Sequence, residues 1–197
     1  MQPDLLAFTL FSIATSASPG PNNVMVSAGA ANNGVRATIP HILGIAAGFA
    51  LMLLVVGAGL AEPLATWSPL HAALRWVGGA WMLWLAWKIA TASGGVDGAR
   101  KPPLSFLGAA LFQWVNPKAW MIAVATAATY TSPHGDLLRQ VAVLAVITFI
   151  VCLPCVAAWA LLGAGAGRLL VTPRRLRAFN VTMALLLVAS LVPIVVG

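Results

Sequence analysis

The sequence predicts an all-α integral membrane protein with six transmembrane helices. Three observations carry that reading. The first is composition: 60% of the residues are hydrophobic and 8% charged, with mean hydropathy +0.93. A soluble domain carries about 25% charged residues, so this chain has too little polar surface to cover a core in water, and lipid is the fitting solvent. The second is that six apolar runs are each long enough to cross a hydrocarbon layer of about 30 Å. The third is the distribution of its bases. The net charge is +7, but the Lys and Arg residues sit in short gaps between apolar runs and not on a polar face, which argues against nucleic acid and for a topological signal.

The runs lie at approximately 4–28, 38–61, 70–91, 104–130, 137–165 and 177–196. The gaps read "AANNGVR", "EPLATWSP", "SGGVDGARKPP", "TSPHGD" and "GRLLVTPRR". None is long enough for a separate soluble domain, so residues 1–197 form one transmembrane domain. Before the first run there is no Lys or Arg, unlike the n-region of a secretory signal, so that run is expected to be retained. Arg36, Lys88, Arg100, Lys101, Arg168, Arg174, Arg175 and Arg177 fall on one side of the six spans, and Arg75 and Arg139 on the other. Eight against two makes the first side cytoplasmic and turns both termini outward. A five-span reading would move one terminus, and the proline-broken first run is the one most open to it. Trp81, Trp84 and Trp87 repeat at helical spacing on the third run, as packing or lipid-facing residues do.

The first run is interrupted by "SPGPNN", Ser18 to Asn23, and the fourth by "NPK", Asn116 to Lys118. Pro117 follows Pro19 by 98 residues, about half the chain. Gly57 and Gly59 have a weaker echo in Gly163 and Gly165. The expectation is two inverted three-helix repeats, about 1–98 and 99–197, with helices 1 and 4 broken. Matching interruptions in inverted halves point to a binding site at mid-membrane. Proline suits the first turn of a helix, so each break starts a new half-helix, capped by Ser18 or Gly20 in the first case and Asn116 in the second. The free N–H groups and positive dipole ends would then face the membrane centre.

Lys118 is the one charged residue well inside a run; Asp4, Glu62, Asp97 and Asp136 all lie near segment ends. An ionisable residue at that depth is a functional candidate, with backbone carbonyls or a ligand as its partner. An amino acid has the complementary shape, its carboxylate suited to helix N-termini and Lys118, its ammonium to broken-helix carbonyls and Asn side chains. Structural alternatives stand beside each reading. A Pro kink is common in membrane helices, Lys118 can snorkel to an interface, and Asn22 and Asn23 can merely cap and pack. A rival class rests on "CLPC", Cys152 to Cys155, whose C-x-x-C spacing would suit an intramembrane thiol–disulfide oxidoreductase. Against it, a thiolate in lipid is expensive and there is no second cysteine pair. A passive channel is a third reading.

With "SPGPNNVMV", "NPKAW" and "RRLRAFNVTMALLLVASLVP" in view, the chain resembles the LysE/RhtB family of bacterial amino-acid exporters over essentially its whole length. The resemblance implies a secondary active exporter of amino acids or close derivatives in the inner membrane, driven by the proton gradient, and neither an enzyme nor an ATPase. It carries over Pro19, Gly20, Pro21, Asn22, Asn116, Pro117 and Lys118 as translocation residues, with Asn23 beside them, and Asn180 in the last run. The stretch "LAWKIATASGGVDG" followed by "KPPLSF" resembles the branch that exports cysteine and O-acetylserine. With no acidic residue at mid-membrane, a small neutral substrate is favoured over a cationic one. Lys118 and His41 are the candidates for carrying the proton, with the reading of His41 as a capping or packed histidine preferred over that role. The partners expected are the substrate and lipid, with no nucleic acid and no cofactor. Oligomeric state is unreadable: small-residue stretches such as Gly44–Gly48 suit packing within one chain or between two.

Overall fold

The computed structural model describes residues 4–60, 68–91, 102–132, 135–169, 172–189 and 191, and all regular structure among them is helical. The helices are α1 (Leu5–Ala17), α2 (Pro21–Asn33), α3 (Val35–Val55), α4 (Ser68–Ala90), α5 (Phe106–Phe112), α6 (Pro117–Tyr130), α7 (Leu137–Leu169) and α8 (Pro173–Ala189). Helix α3 ends in a π-helical turn, Val56–Leu60, and α5 in a 3₁₀ turn, Gln113–Val115. Two stretches are long and apolar enough to cross a membrane, Val35–Gly59 and Leu137–Gly167; Leu5–Ala17, Phe106–Val115 and Arg177–Ala189 are shorter apolar helices.

The sequence places both helix breaks correctly. Helices α1 and α2 are the two halves of the first run, parted at Ser18–Gly20, and α5 and α6 those of the fourth, parted at Asn116. Side chains set where the outer halves begin: Asp4 Oδ1 accepts from Ala7 N–H at 3.0 Å, and Ser105 Oγ from Gly108 N–H at 3.1 Å. The prolines take different places at the two breaks, however. Pro21 and Pro117 are the two residues at the first helical positions of α2 and α6, and they stand 96 residues apart; Pro19 lies before the cap.

Two gaps shrink. "AANNGVR" is not a loop: α2 runs to Asn33 and α3 starts at Val35, with Gly34 alone between them. Its φ of 81° is open to glycine and strained for other residues, which lets one residue reverse the chain. "GRLLVTPRR" shrinks likewise, because α7 continues to Leu169 and α8 starts at Pro173, where Thr172 Oγ1 accepts from Arg175 N–H at 3.4 Å. The gap "EPLATWSP" lies mostly, and "SGGVDGARKPP" largely, outside the described residues, Arg100 and Lys101 with it.

Small residues bring the helices together. On α3, a Cβ at Gly44 would strike Phe106 O, and one at Gly48 would lie 2.5 Å from Ala110 Cα on α5. On α7, a Cβ at Gly163 would strike Ser27 O and one at Gly167 would lie 2.5 Å from Ala31 O, both on α2. Each seam is a small-xxx-small face that allows close backbone approach where hydrophobic driving force is absent. Gly44 and Gly48 therefore serve packing within the chain. The glycine echo in the sequence does not survive in packing: Gly57 meets Val141 and Gly163 meets α2, but Gly165 has nothing within 4 Å.

Helices α3 and α7 pack on each other at the centre, α1 and α2 line α7, and α5 lines α3. Helices α4 and α8 pair with each other through Met82, Ala86, Ala184, Leu187 and Leu191. Trp81, Trp84 and Trp87 face outward, with Trp81 and Trp84 stacked at 4.7 Å and the Lys88 ammonium 4.4 Å from the Trp84 ring centre. Two apolar clusters remain. One joins Phe8, Phe49, Met52, Leu53, Val56, Ala119, Ala123, Leu144 and Ala145. The other joins Val26, Ala30, Ile42, Ile45, Ala46, Ala109, Cys152, Val156 and Ala160. They occupy opposite ends of α3 and α7, and the two helix breaks lie between them.

Gly163→Val should overpack the α7–α2 seam by about 1–3 kcal/mol and lower the melting temperature in detergent by about 5 °C. Gly165→Val, on the same helix with open space around it, should leave it unchanged. Size-exclusion of heated samples reads both.

Candidate functional site

The break in the first run leaves the last carbonyls of α1 without helical partners. Nearly every one is taken up by a group from elsewhere. Ser18 N–H donates to Ala14 O at 3.0 Å and Ser18 Oγ to Thr15 O at 2.8 Å. Asn23 Nδ2 donates to Ser16 O at 2.8 Å and to Ser18 O at 2.9 Å. Trp159 Nε1, from α7, reaches Ala17 O at 3.0 Å. Lys118 Nζ, from α6, donates to Ser18 O at 3.1 Å, Ser18 Oγ at 2.7 Å and Pro19 O at 2.8 Å.

Lys118 therefore does not snorkel. Its ammonium spends its three donors on three oxygens of the first break, at the negative end of the α1 dipole. Gly20 makes room for it. The backbone there is extended, with φ 178°, which any residue adopts, but a Cβ would lie 3.0 Å from both Cδ and Nζ of Lys118.

A second bridge crosses the same gap. Asn22 Nδ2 donates to Gln113 Oε1 at 2.8 Å, and Gln113 Nε2 returns a bond to Asn22 Oδ1 at 3.2 Å while also donating to Ala109 O at 2.9 Å. At the fourth-run break, Asn116 N–H donates to Gln113 O at 3.2 Å and Trp120 Nε1 to Trp114 O at 2.8 Å. Asn116 caps α6 as the sequence predicts, its Oδ1 accepting from Lys118 N–H at 3.2 Å. Helix α2 is different: Gly20 offers no side-chain cap, and the N–H groups of Asn22 and Asn23 point out of the helix start unpaired among the described residues.

Between the breaks lies a cavity of about 50 Å³. Of the predicted residues, Gly20, Pro21, Asn22, Asn23, Asn116 and Lys118 line it, together with Thr15, Ser16, Ile45, Phe49, Ala119, Ile122, Cys152 and Val156. None of the lining residues is acidic. Pro19 contributes its carbonyl to Lys118, and Pro117 starts α6. Asn180 is not among the cavity walls: it lies on α8, which packs mainly against α4 and touches α2. His41 is buried on α3 and also does not line it. Cys152 and Cys155 are free thiols; Cys152 is buried against the cavity and Cys155 is not among its walls.

Sequence reading missed Gln113, Trp120 and Trp159, and offered Ser18 as a cap for the start of α2 where it caps the end of α1. Gln113 carries a signal, a lone amide in an apolar run three residues before Asn116. Trp159 carries none, since its partner Ala17 is 142 residues away.

Interrupted helices interlocked around a small, mainly apolar cavity with polar groups at the breaks, in a chain this apolar, fit a helical membrane transporter. The chain belongs to the LysE type translocators, whose family profile matches residues 13–192. It is 34% identical over 191 residues to the cysteine/O-acetylserine efflux protein of Escherichia coli (strain K12), across 95% of this chain and 96% of that one. The proteins of the same description from Shigella sonnei (strain Ss046) and Escherichia coli O139:H28 (strain E24377A / ETEC) match with the same identity and coverage. No solved structure matches significantly. The family is one of transporters and not enzymes, which removes the oxidoreductase reading of Cys152 and Cys155.

Asn22→Leu and Gln113→Leu should each destabilise by about 1–3 kcal/mol, because each strands a buried amide. The double variant should cost less than the two together, with a coupling of about 1 kcal/mol in thermal unfolding.

Proposed function

We propose that this chain exports a small neutral amino acid or close derivative, of the cysteine/O-acetylserine kind, from the bacterial cytoplasm. The observation that carries the reading is the cavity where an uncapped helix start, Asn22–Asn23, meets the Lys118 charge. A substrate carboxylate fits the free N–H groups of α2, with Lys118 supplying positive potential although its donors are engaged. Asn23 Oδ1 and Asn116 Nδ2 accept and donate no bond among the described residues, and both belong to cavity-lining side chains. They suit the substrate's ammonium and its ester or carbonyl oxygen. The absence of an acidic wall disfavours a cationic side chain, and the volume favours a small one. The efflux proteins this chain resembles act on substrates of that size.

The protein spans the inner membrane six times as one domain over residues 1–197, with both termini outward and the side bearing Arg36, Arg174, Arg175 and Arg177 in the cytoplasm. Its halves are inverted repeats. Packing of α1 and α2 along α7, of α5 along α3, and of α4 with α8 supports that relation. Transport is secondary active and proton-coupled, by alternating access: the apolar clusters on either side of the cavity suit two gates.

Overexpression should enrich the medium in one or a few small neutral amino acids or O-acetyl derivatives, measured by mass spectrometry. Lys118→Ala should return them to the empty-vector level while the protein still reaches the membrane. In energised inside-out vesicles, uptake should concentrate substrate and collapse with a protonophore; equilibration without accumulation would mean a channel. An unchanged medium profile would defeat the substrate assignment.

A further inference from the structure

His41 is 1% exposed, and neither ring nitrogen has a hydrogen-bond partner; these are the two buried side-chain polar atoms so stranded among the described residues. A neutral imidazole carries one donor and one acceptor, and leaving both buried and unpaired is unfavourable. Its place in the fold says what that serves. On α3 it lies one turn from Ile45, which lines the cavity, on the side toward Arg36. Helical spacing sets it between Thr38, whose Cγ2 lies 3.2 Å from a Cβ position at Gly29 on α2, and Gly44, which packs on Phe106 and Ala109 of α5. It thus stands in the layer of Ile42, Ile45, Ala46 and Ala109, the apolar cluster that shuts the cavity on that side.

Among the described residues nothing charged faces it. Helices α2 and α5 carry no titratable residue, and on α3 itself Arg36 is exposed. On α6 the Lys118 ammonium is committed to Ser18 and Pro19, and Tyr130 packs with Phe8 and Phe11. On α7 Cys152 and Cys155 are thiols, and Arg139 and Arg168 sit near its two ends.

We propose that His41 ties closure of this gate to loss of a proton. An imidazolium enclosed here would be a buried, unpaired cation, which is strongly disfavoured. The gate therefore closes only over the neutral ring. When α3 parts from the α2–α5 seam, the ring meets water and its proton equilibrates over the ordinary histidine range. Protonation binds the open state alone, so acidification on that side holds the gate open. The inference rests on the cavity being the translocation centre.

Cys152 is the reporter, because it belongs to this cluster and is buried in the cavity wall. In a Cys155→Ala background, labelling of Cys152 by a membrane-impermeant maleimide added from the Arg36 side is timed at pH 5.5 and 7.5. Each rate is divided by that of His41→Leu at the same pH, which cancels the thiol's own titration. The ratio should be near one at pH 7.5 and rise several-fold at pH 5.5. His41→Gln, which keeps hydrogen-bonding capacity without the charge, should behave as His41→Leu. A ratio that does not change with pH, absence of labelling included, overturns the proposal, as does a pH response retained by His41→Gln. The labelling needs no transported substrate, so its failure is separate from a failure of the export reading, which the medium profile decides.

Discussion

A chain that interrupts a helix away from water must find partners for the carbonyls it strands, and the rest of this structure depends on that constraint. Each unsatisfied group in hydrocarbon costs several kcal/mol. The carbonyls of residues 14 to 19 are met by Ser18, Asn23, Trp159 and Lys118, drawn from three helices besides α1 or its break. Charge does the largest share, since hydrogen bonds from an ammonium are worth about 1.5–3 kcal/mol each, roughly twice a neutral pair. One buried cation thus makes an otherwise unfavourable backbone possible, and the backbone in turn makes the buried cation tolerable.

That reciprocity decides which polar groups are left for a ligand. Lys118 and Asn22 are consumed in holding the two breaks together, and the amide nitrogen of Asn23 in serving the first break. What remains open is the start of α2, one amide oxygen and one amide nitrogen. The polar groups this mainly apolar site leaves open are chiefly backbone, a suitable way to receive a zwitterion without placing a fixed negative charge in the membrane. The apolar clusters to either side separate this polar layer from both ends of the molecule.

Much of this was legible in the sequence, for identifiable reasons. Proline and its neighbours act locally, so "SPGPNN" and "NPK" announce both breaks, and Asn116 announces its own cap. Charge deep in an apolar run is rare enough that Lys118 stands out. What was not legible depends on contacts between distant segments. That Lys118 serves carbonyls 99 and 100 residues away cannot be read from spacing. Nor can the pairing of Asn22 with Gln113, which turned a suspected ligand contact into a bridge. Proline spacing alone did not tell which of Pro19 and Pro21 starts the inner helix; it is Pro21, as Pro117 starts α6. Asn180 was placed with the site by family likeness alone; it lies on α8, which packs mainly against α4 and touches α2, and it does not line the cavity.

The Lys118 contacts and the Asn22–Gln113 pair also have a mechanical meaning. Both span the gap between the first and fourth runs, at the one level where each is jointed. Two hinges riveted to each other cannot swing apart, so the broken helices form a single axle through the middle of the protein. Helices α3 and α7, each with a proline in its length, pack against that axle and against each other.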